Sequence, residues 1–153
     1  METIELLIGR DDVLAEVDKA TDYTGSKMGG EDGEVRDRIA MTEEDMENLQ
    51  RFWEESASLA NERLKGMWVS GSRPDDAGDY RVRLEVSRNF DKGLTPSVES
   101  SLRSYFIQSI VGRWFRFVNK QETGDCAAEA GAMMEDVLRK LYSRRRPVSP
   151  RRR

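Results

Sequence analysis

The chain has 153 residues, of which 37% are hydrophobic and 35% are charged, and its formal net charge at pH 7 is −4. This length is typical of a single domain with a buried core and a strongly charged surface. No apolar run approaches the roughly 20 residues that span a bilayer, and the N-terminus lacks the basic-then-apolar pattern of a signal peptide. The sequence therefore predicts no membrane partner and synthesis in the cytoplasm.

The residue types of most catalytic and metal sites are scarce. The chain contains no histidine and a single cysteine, Cys126. One cysteine cannot form an internal disulfide, and the lack of histidine excludes the usual zinc sites and the Ser-His and Cys-His nucleophile pairs. We expect Cys126 to be a small packed hydrophobe. The sequence predicts no catalytic residue, no cofactor and no metal, and so a protein that is not an enzyme.

The N-terminal part predicts a short extended arm over residues 3–8, followed by a helix. Asp11 is a suitable N-cap for this helix, which should end near Gly25 or Met28. Its apolar positions recur at helical spacing: Val13, Leu14, Val17, Ala20, Tyr23 and Thr24. The stretch "GGEDGEVRDR" that follows is glycine-rich and charged, which favours a surface loop.

A second helix is predicted from Glu43 to about Lys65. Thr42 is its N-cap, and acidic residues crowd the first turn, where the helix dipole favours them. One apolar stripe runs along it: Met46, Leu49, Trp53, Ala57, Ala60 and Leu64. This stripe should face the core.

A β-element is predicted between the second and third helices. Apolar Tyr80, Val82, Leu84 and Val86 alternate with polar Arg81, Arg83, Glu85 and Ser87. This period of two indicates a strand with one dry and one charged face, and "MWVS" upstream is its candidate partner in a long-looped hairpin. A lone two-stranded ribbon is marginal in water, so the element must pack on the helices or pair with another chain.

The third helix is predicted to be the central one. Thr95 is a candidate N-cap and Pro96 the first helical residue. Its first apolar stripe contains Val98, Leu102, Tyr105, Phe106, Ser109, Ile110, Trp114 and Phe117, and its second contains Ile107, Val111, Phe115 and Val118. A helix that is apolar around so much of its circumference is normally buried among others.

The third helix also contains "GRWFRF", which allows two interpretations. Arg113 and Arg116 flank aromatic residues there, as in basic-aromatic surfaces that bind nucleic acid. The simpler interpretation is that the two arginines form the solvated edge of a buried helix.

A fourth helix should begin near Thr123 or Gly124 and run to about Ser143. Its inner stripe contains Cys126, Ala127, Ala130, Met133, Met134, Val137, Leu138 and Leu141. The predicted fold is mainly α: a four-helix bundle-like single domain over residues 1–143 with a short β-hairpin or strand. Residues 144–153 form an extended basic tail, because its two prolines disfavour helix.

Charge is unevenly distributed along the chain. From residue 139 onward there are eight basic residues and no acid: Arg139, Lys140, Arg144, Arg145, Arg146, Arg151, Arg152 and Arg153. Since the whole chain has a net charge of −4, residues 1–138 have a net charge of −12. Three interpretations of the tail stay open: binding to nucleic acid phosphates by counterion release, docking in an acidic groove of a protein partner, or a merely solvated end.

Several stretches resemble a group of small virion proteins from tailed bacteriophages and prophages of Bacteroides-type gut bacteria. They are "DVLAEVDKATDYTGSKM", "MTEEDMENLQRFWEES" and "LTPSVESSLRSYFIQSIVGRWFRFVNK", followed by "LRKLYSRRRP". The order of elements is also similar to the head-to-tail connector, or adaptor, class of phage neck proteins. That class implies a small helical body with a β-element or arm, assembled as a ring beneath the portal, each copy inserting its terminus into the neighbouring ring.

The resemblance implies a structural virion protein, made in the host cytoplasm, that forms a homo-oligomeric ring and contacts portal or tail components. We expect partner contacts from Arg81 and Arg83 on the strand and from the tail residues Arg144, Arg145, Arg146, Arg151, Arg152 and Arg153. Arg81 and Arg83 also fit ordinary solubility charges or a device against edge aggregation. The alternative function is a nucleic-acid-binding accessory protein whose tail grips DNA.

Overall fold

The computed structural model describes residues 1–29, 46–72, 78–118 and 123–144, without the side chains of residues 22–29, 118, 123 and 124. The predicted loop after the first helix, the Thr42 cap and the tail beyond Arg144 lie outside the described residues. The elements are β1 Glu2–Ile8, α1 Arg10–Gly29, α2 Met46–Leu64, β2 Trp68–Gly71, β3 Tyr80–Val86, α3 Thr95–Val118 and α4 Thr123–Tyr142. The fold is thus mainly helical with a small sheet, which confirms the predicted fold class at that level.

The sheet has three antiparallel strands in the order β1-β3-β2. The predicted pairing of "MWVS" with the strand after it is confirmed, since Trp68 lies opposite Leu84. The predicted short extended arm over residues 3–8 is extended, and it forms β1, which pairs with β3 along its whole length. Its inward side chains Ile4, Leu6 and Ile8 are buried. This third strand supplies the pairing that a two-stranded ribbon lacks.

α1 begins earlier than its sequence indicates. The Gly9 carbonyl accepts a hydrogen bond from the Val13 N–H at 3.0 Å, so Asp11 lies within the first turn and is not the N-cap. The Arg10 N–H donates to Asp79 Oδ1 at 3.0 Å. The helix can start before Asp11 because a carboxylate distant in sequence satisfies this end N–H group.

The start of α3 also differs from the prediction. Thr95 has helical backbone angles, φ −55° and ψ −47°, because α3 continues directly from a 3-10 turn over Lys92–Leu94. The capping residue is Asp91, which is extended and whose side chain accepts a hydrogen bond from the Gly93 N–H at 2.9 Å. The cap therefore lies one short turn earlier than the Thr95-Pro96 pattern predicts.

α3 is the central helix, as predicted: it packs against α1, α2, α4 and β1. Phe106 is fully buried, and its ring centroid lies 4.7 Å from that of Trp53, 5.0 Å from Tyr80 and 5.3 Å from Tyr105. These four rings join α2, α3 and β3 into one core. The buried apolar residues of α3 are Val98, Leu102, Tyr105, Phe106, Ile110, Val111, Trp114 and Phe115.

Three residues of the predicted inner stripes, Met46, Phe117 and Ala127, are exposed at the surface. Phe117 is 56% exposed and Met46 is 46% exposed. Met46 and Phe117 each lie in the terminal turn of their helix. On α4 the inner face is confirmed by buried Ala130, Met134, Val137 and Leu141. No helix within the described ranges combines the length and apolar character that a membrane crossing requires.

Candidate functional site

Arg81 and Arg83 lie on the outer face of the central strand β3, as the alternation predicted. Their cross-strand partners in register are Leu7 and Glu5 of β1. Neither guanidinium has a hydrogen bond or ion pair with another described residue. The two arginines line a shallow depression of about 440 Å³ together with Glu5 and residues 70–72. This sheet face is therefore a polar surface with two available cations.

The two edges of the sheet differ. β1 provides one edge, seven residues long, and β2 provides the other, four residues long with a register shift between Trp68 and Ser70. At Gly71 a Cβ atom would lie 2.7 Å from the Arg81 carbonyl oxygen and from the Trp68 ring, so only glycine fits there. A short, irregular edge is a poor template for further pairing, whereas a long regular edge is a good one.

The tail begins away from the Arg81–Arg83 depression. Arg144 is exposed just beyond α4 and lines a second depression, of about 550 Å³, with Met1, Glu85, Arg88 and Tyr142 among others. The structure therefore does not bring Arg144 together with the strand arginines in one cavity. The other tail arginines lie outside the described residues, so their role stays a prediction.

Arg139 and Lys140 precede the tail and are already paired. Both bind the carboxylate of Asp136, and the Lys140 Nζ to Asp136 Oδ2 distance is 2.8 Å. The hydroxyl of Ser101 also donates to Asp136 Oδ2 at 2.6 Å. The hydrogen bonds from Lys140 and then Ser101 hold the pKa of Asp136 well below its usual range. The charge of Arg139 and Lys140 is thus already partly neutralised by Asp136.

This cluster brings a serine close to a lysine, because Lys140 Nζ lies 2.9 Å from Ser101 Oγ. A serine nucleophile needs a neutral base to accept its proton. Lys140 Nζ instead donates to Ser101 Oγ and forms an ion pair with Asp136. Since Lys140 also donates to the Ser97 carbonyl, the cluster ties α4 to the first turns of α3 and is structural.

A buried polar network lies between α2 and α3. The hydroxyls of Ser56 and Ser109 are 2.7 Å apart, and the Tyr105 hydroxyl donates to the Ser56 carbonyl at 2.8 Å. Burial raises the pKa of Tyr105 to about 12, so it stays protonated at neutral pH. Every buried side-chain nitrogen or oxygen in the described part of the chain has a hydrogen-bond partner. The network therefore fixes the two helices against each other.

A groove that the sequence did not reveal runs along α3 between α2 and α4. We call it the α2–α4 groove; it encloses about 330 Å³. Its lining residues are Leu59, Arg63, Tyr105, Ser109, Gly112, Arg113, Arg116, Ala127, Ala130, Gly131, Met134 and Glu135. The sequence contained one indication of this groove: Gly131 interrupts a stretch whose other residues strongly favour a helix.

The "GRWFRF" arginines lie on the rim of this groove. Arg113 is half-buried and donates to Glu55 Oε2 at 2.6 Å, while Arg116 is exposed and has no partner among the described residues. Phe117 extends the rim and packs edge-on to Phe52, with ring centroids 6.5 Å apart. Arg113 is thus a paired helix edge, whereas Arg116 and Phe117 are both exposed. Nucleic-acid binding by this stretch stays a prediction.

No group of three or more histidine, cysteine or acidic side chains within the described ranges is arranged to hold a metal ion. Cys126 is half-buried, and its Cβ lies 3.1 Å from the position of a Cβ added to Gly112, so it sits at the close approach of α3 and α4. No family model, curated protein or solved structure matches the chain.

Proposed function

We propose that the chain is a structural virion protein, a subunit of the head-to-tail connector or neck ring of a tailed bacteriophage. The observation that carries the proposal is the outer face of the sheet, where Arg81 and Arg83 are exposed without partners among the described residues. Beside them lies the long outer edge of β1, on which no further strand pairs within the described residues. Such a surface suits contacts between copies.

Ring assembly requires two different surfaces on each subunit. A closed cyclic ring uses heterologous contacts, in which one patch meets a different patch on the next copy. Residues 1–138 have a net charge of −12, whereas the tail holds six arginines. A basic tail from one subunit can therefore bind an acidic body in another, and many copies in a ring multiply a weak contact into avidity.

The charge distribution also suits a channel for DNA. An acidic body repels the phosphates of DNA that passes through a ring, so the DNA would not adhere to the wall. The basic tail would be held by protein carboxylates and kept from the DNA. In this proposal the protein acts without a cofactor, and its partners are its own copies and other virion proteins such as portal or tail components.

Removal of residues 144–153 tests the proposal. Those residues follow α4 and Arg144 is exposed, so the shortened chain should fold with unchanged circular dichroism and thermal stability. We expect phage carrying it to assemble few infectious particles. Infectious particles at the normal yield would contradict the role of the tail.

The double change Arg81→Glu and Arg83→Glu tests the sheet face separately. It reverses both available charges while leaving the buried face of β3 intact, so it should impair assembly without unfolding the protein. Lys65→Glu is the control, because Lys65 is exposed on the 3-10 turn after α2 and lines none of the depressions above. Equal assembly by the double variant and the control would remove the sheet face from the proposal.

The alternative, a nucleic-acid-binding accessory protein, is favoured by the run of six tail arginines with no acid. Arg139 and Lys140 do not add to it, since Asp136 already neutralises part of their charge. Mobility-shift assays across a salt series separate the two functions. Tight DNA binding that falls steeply between low and physiological salt, and is lost with residues 144–153, would favour the alternative.

A further inference from the structure

The α2–α4 groove is apolar along its floor. Leu59 is 49% exposed, and the floor also contains Ala127, Ala130 and Met134. A neighbouring depression of about 290 Å³, lined by Phe52 and Phe117, shares two rim arginines with the groove. The two depressions together make an elongated channel along α3. Its shape suits an extended or helical segment better than a compact small molecule.

The rim of the channel is basic although the chain as a whole is acidic. It holds four arginines, Arg51, Arg63, Arg113 and Arg116, against two glutamates, Glu55 and Glu135. The pairs Arg63–Glu135 and Arg113–Glu55 lie across the helices that form the walls. Arg116 is left available at the point where the two depressions meet. A partner that complements this rim must present acidic side chains beside an apolar strip.

Gly131 lies on the α4 wall, where a Cβ atom would meet nothing within 4 Å. The protein's own packing therefore does not require glycine at this position, although glycine in a helix interior costs about 1 kcal/mol relative to alanine. A bare backbone at this wall lets a docked segment approach α4 closely. The open wall at Gly131 thus agrees with the apolar floor and the basic rim in indicating a docking channel.

We propose that the α2–α4 groove binds an amphipathic helix of a partner protein, with apolar anchors at helical spacing and acidic residues along their flank. Nucleic acid fits less well, because Glu55 and Glu135 would face its phosphates and the floor is aliphatic. A second copy of the chain is the other possible occupant, and the sedimentation experiment below separates it from a partner helix. This inference is independent of the proposed connector function.

A pair of peptides tests the proposal. Each is a blocked, fluorescein-labelled helix former of about 18 residues, with leucine at i, i+4 and i+7. One has glutamate along the flank and the other has lysine at the same positions. Fluorescence anisotropy at low salt should show binding of the glutamate peptide at least tenfold tighter than that of the lysine peptide. Arg116→Glu should abolish this preference, because the rim would then hold three arginines and three glutamates.

One further variant and two controls separate docking from folding. Gly131→Leu should fill the groove and weaken binding of the glutamate peptide at least tenfold, while its circular dichroism stays that of the natural chain. Ala132→Leu is the matched control on an exposed neighbouring position outside the groove, and it should bind normally. Arg88→Glu is the charge control for Arg116→Glu, because Arg88 lines a different depression.

Three results would overturn the proposal. The first is equal binding of the two peptides, or binding unaffected by both Arg116→Glu and Gly131→Leu. The second is a single-stranded oligonucleotide that displaces the glutamate peptide and is itself released by Arg116→Glu. The third is a dimer in sedimentation velocity that Gly131→Leu dissociates, since a second copy would then occupy the groove.

Discussion

Replacement of Phe106 by alanine removes the ring on which three others pack. Phe106 is fully buried, and its ring packs against Trp53 on α2, Tyr80 on β3 and Tyr105 on its own helix. Deleting a buried phenylalanine costs about 3–5 kcal/mol. Three aromatic pairs are lost together, so we expect a decrease near the upper end, about 4 kcal/mol, in the free energy of unfolding.

Urea denaturation followed by tryptophan fluorescence measures this change, because Trp53 stacks on the Phe106 ring. Phe117→Ala is the matched control on the same helix, where the ring is 56% exposed. That variant should lose only about 1 kcal/mol, since much of its surface stays in water. Losses of similar size for the two variants would refute the assignment of the inner face of α3.

Three other variants have defined expectations. Asp136→Asn should destabilise the fold at pH 7, because the low pKa of Asp136 shows that the native state favours its carboxylate. That contribution is present above the unfolded-state pKa of about 3.9 and is lost as pH falls through the folded-state value. The difference in melting temperature between the natural chain and this variant should therefore shrink below about pH 4; a constant difference would mean that the ion pair with Lys140 is not its source. Tyr80→Phe should lower the free energy of unfolding by about 1 kcal/mol in urea denaturation, because the Tyr80 hydroxyl donates to Asn61 Oδ1 at 2.7 Å in a partly buried site. No loss would show that this bond contributes nothing net. Gly131→Ala should raise the free energy of unfolding by up to about 1 kcal/mol, since its Cβ has open space. A decrease would mean that α4 is packed more tightly there than its surroundings indicate.

The helices and the strand over Tyr80–Val86 could be predicted because their apolar residues recur with the period of the element. The central position of α3 was predictable, because a helix with two apolar stripes can bury both only when it lies between other elements. The exposed positions of Arg81 and Arg83 follow from the same alternation. These predictions depend only on residues close together in the chain, and the period of such residues can be read from the sequence.

The differences arise where the deciding partner is far away in the chain. β1 reads as an arm because nothing near it in sequence shows that β3 will pair with it, some 80 residues later. The start of α1 depends on Asp79, and Asp79 cannot be connected with Arg10 by spacing alone. The α2–α4 groove is formed by three helices together, so no single stripe reveals it. Gly131 was the residue whose type indicated that this face of α4 lines a groove.

The role proposed for the tail depends on its amino-acid composition and not on how it packs. Its composition predicts an acidic partner, but the identity of that partner depends on what surrounds Arg144 in an assembly. Arg88, close to Arg144 at the same depression, adds a further cation to this end of the molecule. Charge alone therefore suits both protein carboxylates and DNA, and the two must be separated by experiment.

Native mass spectrometry of the purified full chain tests the central claim, a ring-forming virion subunit, most directly. The account predicts one closed oligomer of a single copy number, which dissociates when residues 144–153 are removed or when Arg81 and Arg83 are reversed to glutamate. A monomer at every protein concentration, unchanged by these alterations, would contradict it.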